Sequence, residues 1–315
     1  MTKDTIGVDI SKDHLDAHRM SDGAIRRFAN DSVGHGAFMS WLGQLETIHD
    51  TRIVYEPTGP YHRAFERRLA AAGAALVKVN PRQARRFAEA TGKLAKTDRL
   101  DAAMLARMGA LLELEARPAR SPILNDLKDL HMAREALVKN RTAAKNRAKN
   151  LTLTVLKRHN AEQLRQIERQ MAAIEREIMM LIKDNLVLAR RFESLISIPG
   201  ISATTAFALL IDMPELGTLA HGQAASLAGL APVARQSGTW TGRAFIRGGR
   251  AKLRQALYMP ALVAMRFNPD LKAKYDQLKA AGKAPKVAIT AIMRKLIVLA
   301  NALLRDGREW TATPT

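Results

Sequence analysis

The chain has 315 residues, a length typical of about two domains. Hydrophobic residues make up 47% of the sequence, enough for a buried core, so a wholly disordered chain is excluded. It carries 50 Lys and Arg residues against 30 Asp and Glu residues, and a chain with this net charge of +20 is expected to bind polyanions, with nucleic acid as the leading candidate. It has no cysteine, which excludes disulfides, thiolate metal sites and cysteine nucleophiles and agrees with a reducing cytoplasm. The sequence contains neither a signal-peptide pattern nor an uncharged apolar run of about 18 residues, so secretion and a membrane span are not expected.

The first 115 residues alternate between strand and helix patterns. Residues 5–10 (TIGVDI) predict a buried strand, and residues 14–20 and 24–29 predict a hairpin around a turn at residues 21–23 (SDG). A helix capped by Ser32 follows. The remaining predicted elements are a strand at 52–55, a helix at 61–72, a strand at 75–79 and a helix from Pro81. This order predicts a mixed-sheet α/β domain over residues 1–115.

The middle of the chain, residues 116–190, predicts long helices. No Gly or Pro occurs from Asn125 to Leu188, and His159 and Asn160 are a candidate turn between two helices. Apolar residues on the second helix follow heptad spacing, with a break at Asn185. They are Leu164, Ile167, Met171, Ile174, Ile178, Leu181 and Leu188. The pattern fits a helical hairpin within one chain or a coiled coil that forms a dimer, and we favour the dimer slightly.

The C-terminal part, residues 191–315, predicts a mostly α-helical domain. It is interrupted at residues 198–201 (IPGI) and by a loop rich in Gly and Arg at residues 236–250.

Four carboxylates occupy positions that suit a metal site. Asp9 lies inside the first strand and Glu56 follows another strand, while Asp98 and Asp101 are three residues apart, on one face of a predicted helix. Each alone has a structural interpretation, as a turn or helix cap or as a partner of the helix dipole. Together on a basic chain they predict a divalent metal site, because Mg²⁺ prefers carboxylate oxygens and a pair of ions about 4 Å apart can assist phosphodiester cleavage.

Three motifs in this order resemble the DEDD motif set of the Piv-like insertion-sequence transposases, the bridge-RNA-guided recombinases. They are residues 7–12 (GVDISK), 55–59 (YEPTG) and 96–102 (KTDRLDA). Pieces of the C-terminal half resemble the transposase domain of the same family. They are residues 198–201 (IPGI), 227–232 (LAGLAP), 235–238 (RQSG) and 247–250 (RGGR). The resemblance spans nearly the whole chain.

The resemblance implies an RNase H-like, RuvC-like N-terminal domain that holds Mg²⁺, or Mn²⁺ in its place, on an acidic tetrad. Carried over by motif, the tetrad is Asp9, Glu56, Asp98 and Asp101, and Ser237 is the nucleophile that forms a covalent bond to DNA. Taken alone, Ser237 and Gly238 would be interpreted as a turn. The resemblance also implies a structured guide RNA.

Basic residues form three groups of candidate nucleic-acid contacts, although charge on an exposed helix is often only solvation. The rim near the acids comprises Arg85, Arg86, Lys93 and Lys96. The stripe on the first long helix comprises Arg134, Arg141, Lys145 and Lys149. The loop after Ser237 contributes Trp240, Arg243, Arg247 and Arg250, and Trp240 is a candidate for stacking on a base or for packing.

The interpretation is a Mg²⁺-dependent DNA recombinase and transposase of a prokaryotic insertion sequence, cytoplasmic and associated with the nucleoid. Its expected partners are donor and target DNA, a guide RNA and further copies of itself in a dimer or tetramer, with no membrane. The alternative enzyme is a RuvC-like junction nuclease or resolvase with water as nucleophile and Ser237 structural. A protein that only binds nucleic acid is disfavoured, since binding alone gives no reason for four acids on a basic chain.

Overall fold

The computed structural model describes residues 4–43, 51–92, 98–116 and 121–312, without the side chains of Asp98, Arg99 and His221. The chain divides into two compact units, unit 1 at Met1–Arg120 and unit 2 at Ser121–Thr315. The predicted boundary at residue 190 lies inside unit 2, and the three-part division stays a proposal.

Unit 1 is built on a five-stranded mixed sheet with strand order β3-β2-β1-β4-β5. The strands are β1 Asp4–Ile10, β2 His14–Arg19, β3 Ile25–Ala29, β4 Thr51–Tyr55 and β5 Ala75–Lys78. β1, β2 and β3 pair antiparallel, whereas β1, β4 and β5 pair parallel. The mixed sheet and the hairpin predicted from the turn at residues 21–23 are therefore present.

Helices cover both faces of this sheet. They are α1 Ser32–Gly43, α2 His62–Ala71, α3 Pro81–Ala90 and α4 Asp98–Leu111. α1 and α2 pack through Phe38 and Phe65 on one face, and α3 and α4 pack on the other through Ala84 and Met104. The cap of α1 differs from the prediction: the Asp31 carboxylate accepts the Gly34 amide at 2.7 Å, so Asp31 and not Ser32 satisfies the free N–H group.

Unit 2 begins with two long helices, α5 Pro122–Ala148 and α6 Thr154–Lys183. They form an antiparallel hairpin: the Arg134 guanidinium pairs with Glu175 at 2.7 Å, and the Asn160 amide donates to the carbonyl of Ala144 at 3.2 Å. The predicted turn at His159 and Asn160 is wrong. The connection lies at residues 149–153, and Asn160 is a buried residue inside α6.

The heptad residues of α6 are used within the chain. Ile178 is fully buried with Leu127 of α5 in the core of unit 2, and Ile167 and Met171 are buried nearer the turn. The structure therefore contains the helical hairpin, the alternative to a coiled coil between two chains. The dimeric coiled coil that the heptad pattern favoured is not shown, and assembly into a dimer or tetramer stays a prediction.

The rest of unit 2 packs short helices around one long apolar helix. The elements are α7 Leu186–Ile196, α8 Ala203–Asp212, α9 His221–Leu227, β6 Pro232–Val233, β7 Gln236–Ser237, β8 Trp240–Thr241, β9 Phe245–Ile246, α10 Ala251–Ala256, α11 Tyr258–Phe267, α12 Pro269–Ala280 and α13 Pro285–Asp306. By length and composition α13 is apolar enough to cross a membrane, but half of its apolar window is buried. Ile292 and Leu296, both fully buried, place it in the core of unit 2.

Candidate active site and nucleic-acid surface

Two of the predicted acids lie at the ends of adjacent parallel strands, Asp9 within β1 and Glu56 directly after β4. β1 and β4 are in register, with Val8 opposite Tyr55. Asp9 is the residue after Val8, and Glu56 is the residue after Tyr55. Both are partly buried. Since neighbouring parallel strands end at the same edge of a sheet, the two carboxylates share the carboxyl edge of β1 and β4.

Helix α4 crosses β1 on the face to which Asp9 points. Thr5, Gly7 and Asp9 share that face because side chains alternate along a strand. A Cβ at Gly7 would overlap the backbone of Ala102 and Ala106, and a Cβ at Gly109 would contact Thr5. α4 therefore runs antiparallel to β1, with its C-terminal end over Thr5 and its first turn towards Asp9.

This orientation brings the first turn of α4 to the edge that carries Asp9 and Glu56. Asp98 is the first residue of α4, and Asp101, which is partly buried, lies one turn before the helix passes Gly7. The side chain of Asp98 is outside the described part of the structure. The fold thus gathers three strand and helix ends from separate sequence motifs at one edge of unit 1.

Behind Glu56, the opposite face of the sheet contains a second polar group. Glu66 of α2 pairs with Lys78 at 2.6 Å and lies 3.5 Å from His62. Burial, and then the negative charge of Glu66, raise the pKa of Tyr55 above the range of ordinary titration. Burial, and then the charge of Lys78, lower the pKa of His62. Tyr55 is therefore neutral, and its buried side chain anchors the end of β4 in the core on the face opposite Glu56.

An ion pair that was not predicted from the sequence lies beside Asp9. Asp16 of β2 is directly opposite Asp9 of β1, and Arg27 of β3 is directly opposite Asp16. Arg27 Nε and Nη2 each donate to the Asp16 carboxylate at 2.9 Å. The sequence alone could not have found it, because the predicted turn at residues 21–23 would place residue 16 opposite residue 28. In the structure the Arg19 amide donates to the carbonyl of Ala24, and this register places Asp16 opposite Arg27.

Ser237 lies in unit 2 on a small exposed hairpin formed by β7 and β8. It pairs across the hairpin with Trp240, and Gly238 in the turn has a φ of 55°, in the left-handed region that favours glycine. Trp240 is 54% exposed, and the Arg235 guanidinium lies 5.7 Å from the centre of its ring. The predicted loop therefore holds a short β-hairpin that presents Ser237 to solvent.

The predicted cations divide into exposed and engaged groups. Those on the described surface that are exposed are Arg85, Arg86, Lys145, Lys149, Arg243 and Arg247, of which Arg85 pairs with Glu89 on its own helix; Arg141 is partly buried. Arg134 is held by Glu175, and Arg250 donates to Glu215 and to the carbonyl of Asp212, so both have structural partners within unit 2. Lys93 and Lys96 lie outside the described residues.

A further charged cluster joins α5, α8 and α10 in unit 2. Among the described residues, His131, Glu135 and Asp212 form a group with ligand atoms close enough to hold a metal ion. Lys128 already pairs with Asp212, and Lys252 pairs with Glu135. Because the lysines balance both carboxylates, the cluster is best described as an internal ion-pair network.

Comparison with known proteins finds family matches over two segments of the chain. A DEDD family of the IS110 type, described as "Transposase", matches residues 6–159, and the "Transposase IS116/IS110/IS902 family" matches residues 193–276. A "Pilin gene-inverting protein" of Moraxella bovis is 29% identical over 98% of both chains, and its counterpart in Moraxella lacunata is equally similar. An uncharacterised protein of insertion element IS110 from Streptomyces coelicolor is 33% identical over 50% of this chain and 38% of its own length.

Proposed function

We propose, for a chain that belongs to the IS110 family of DEDD transposases and is therefore a DNA transposase or recombinase, that unit 1 is its metal-dependent cleavage domain. The observation that carries this proposal is the convergence of Asp9, Glu56 and the first turn of α4 on one edge of the sheet. Asp98 and Asp101 complete the acidic tetrad.

The donor set suits Mg²⁺, with Mn²⁺ as a substitute, because these ions bind carboxylate oxygens and need few protein ligands. When bound, Mg²⁺ supplies positive charge that activates an attacking oxygen and stabilises the leaving oxygen of a phosphodiester. The chain's own contribution is to hold Asp9 on a central strand and Asp101 on a helix packed closely over Gly7, so that neither carboxylate depends on a loop for its position.

Ser237 is the nucleophile in this proposal. Its Oγ forms a bond to phosphorus while the bond from phosphorus to a deoxyribose oxygen breaks; the hydroxyl proton leaves and the departing oxygen takes up a proton. A second deoxyribose hydroxyl then attacks the phosphoserine ester and releases Ser237. Each bond broken is replaced by one of the same type, which suits strand exchange, and the relatives named for pilin gene inversion support that reaction class.

The partners are donor and target DNA and a structured guide RNA, and the assembly is a dimer or tetramer in the cytoplasm of a prokaryote, at the nucleoid. The net charge of +20 and the exposed cations at the hairpin turn and around Ser237 support binding to phosphate backbones. Trp240 offers a ring face to an unstacked base beside Ser237.

A cleavage assay with matched variants tests the proposal. Asp9→Asn should reduce Mg²⁺-dependent strand cleavage by at least about a thousandfold while DNA affinity stays within a fewfold of wild type, because the charge lost is acidic. Asp276→Asn, an acid on the surface of α12, is the control and should cleave normally. Full cleavage by Asp9→Asn in Mg²⁺ would contradict the tetrad.

A further inference from the structure

The row of charges Asp9, Asp16 and Arg27 crosses three adjacent strands. Residues directly opposite in antiparallel strands point to the same face of the sheet. Asp9 points to the face that α4 covers, so Asp16 and Arg27 lie on that face too, in line with the tetrad and further along the sheet.

Asp16 is unlike an ordinary surface acid. Only 2% of its surface is exposed, and both of its carboxylate oxygens are held by the fork of Arg27. A buried carboxylate opposite a second carboxylate is unfavourable, since burial opposes the charge and like charges on facing residues repel. An asparagine of the same shape would avoid both costs, so the retained charge needs an explanation.

Arg27 is also unlike a simple packing residue. Its side chain is 51% exposed, and the neighbouring Arg26 points to the opposite face, where it lies over Trp41. Arg27 therefore adds one positive charge to the same face as the tetrad, and Asp16 balances it.

We propose that Asp16 and Arg27 are positioning residues for the acidic centre: together they set the net charge beside Asp9 and thereby its affinity for a divalent cation. Asp16 acts on the cation through the field at Asp9, without coordinating it, because both of its oxygens are engaged by Arg27. This inference rests on the proposed role of Asp9 in cation binding.

The charges give opposite signs for the two single variants. Asp16→Asn removes one negative charge beside the centre and should weaken Mn²⁺ binding by about threefold to tenfold, as expected for one unit charge at close range. Arg27→Gln leaves Asp16 unbalanced and should tighten Mn²⁺ binding by a similar factor. The double variant Asp16→Asn/Arg27→Gln has the wild-type net charge, and its affinity should return to within about twofold of wild type.

The measurement is Mn²⁺ binding to the full-length, DNA-free protein, followed by the electron paramagnetic resonance signal of free Mn²⁺. Asp9→Asn identifies the relevant site by removing it. Arg26→Gln is the matched control, since it removes the same charge from the same strand on the other face, and it should leave the affinity unchanged.

A structural ion pair between β2 and β3 gives a different result. In that case the single variants melt at lower temperature while the Asp9-dependent affinity does not change, and the positioning role is overturned. Arg27→Lys covers the possibility that Asp16→Asn fails to fold. It loses the fork but keeps the charge, so its affinity should stay near wild type; equal shifts for Arg27→Lys and Arg27→Gln would overturn the proposal.

The two proposals fail separately. If wild type has no Mn²⁺ site that Asp9→Asn removes, both the acidic centre and the role of the pair are overturned. If that site exists but its Mn²⁺ affinity does not change with the charges at Asp16 and Arg27, only the role of the pair is overturned.

Discussion

At the scale of single residues, Asp212 shows how unit 2 stabilises a buried, ionised carboxylate. It ends α8 with 7% of its surface exposed and pairs with Lys128 of α5. Burial opposes its ionisation, but Lys128 and the nearby His131 outweigh burial and hold the pKa of Asp212 well below its usual range. A carboxyl with a lowered folded-state pKa stabilises the fold above the unfolded-state pKa of about 3.9, and this contribution is lost as the pH falls towards the folded-state value.

Asp212→Asn should therefore lower the free energy of unfolding at pH 7 by about 2–3 kcal/mol, because it leaves Lys128 without its partner. The difference from wild type should narrow at pH 3, where the contribution of Asp212 to the wild type is already declining. Urea unfolding at the two pH values measures both effects. Asp276→Asn, whose pair with Lys272 is exposed, serves as control. An equal loss at both pH values would show that charge is not the cause.

Individual site residues differ in how far the sequence predicts them. Sequence motifs predict Asp9, Glu56, Asp101 and Ser237. The fold explains how the acids of unit 1 approach one edge of the sheet. Asp16 was missed because a single carboxylate in a polar strand carries no signal until the strand register is known. The ion pair of Arg250 with Glu215 could not be predicted either, because the sequence does not distinguish a basic loop residue that contacts DNA from one that pairs with an acid 35 positions away.

At the scale of elements, the contact of α4 with β1 determines where the first turn of α4 lies. Gly7 permits this close approach, because any side chain there would meet the backbone of α4. We predict that Gly7→Ala lowers the free energy of unfolding by about 2–4 kcal/mol and strongly reduces Mg²⁺-dependent cleavage, since α4 must shift.

Thermal unfolding and a cleavage assay check this prediction. Gly43→Ala is the matched control in unit 1, because a Cβ at Gly43 would meet no atom of the described residues within 4 Å. A Gly7→Ala protein with wild-type stability and activity would show that α4 does not depend on this contact.

Sequence patterns predict some element boundaries and not others. The strands of unit 1 follow from apolar runs and from the turn at residues 21–23. The start of α6 does not, since its N-cap Leu153 makes no side-chain capping bond and no Gly or Pro marks the turn. Asn160 resembles a turn residue in the sequence, but its amide donates to Ala144 across the hairpin, a contact that only the folded helices define.

At the scale of the whole molecule, the expected dimer or tetramer needs a surface through which copies of the chain pack. The outer face of the α5–α6 hairpin has a shallow apolar groove lined by Ala133, Ala136, Leu137, Ala173 and Ile174, with Gln170. If the predicted dimer uses this groove, Ile174→Asp should halve the particle mass in light scattering while helical content is retained, because a buried charge at the interface is costly.

Met180→Asp is the control, since Met180 lies on the same helix and is 54% exposed outside the groove. A variant with Ile174→Asp that folds and keeps the wild-type mass would contradict assembly through this face. Ile178→Asp is unsuitable for the test, because Ile178 is fully buried in the core of unit 2 and its replacement should unfold the unit.

The proposed attack of Ser237 on DNA, assisted by the acidic centre, predicts a covalent complex between protein and DNA. Wild type incubated with a nicked suicide substrate and Mg²⁺ should give a protein–DNA band that survives denaturation, and mass spectrometry should locate the nucleotide on the peptide containing Ser237. Ser237→Ala should bind the same DNA and give no band, and Asp9→Asn should also give none. DNA cleavage by wild type without any covalent band would contradict the role of Ser237 as nucleophile, because water would then be the nucleophile, as in a junction resolvase.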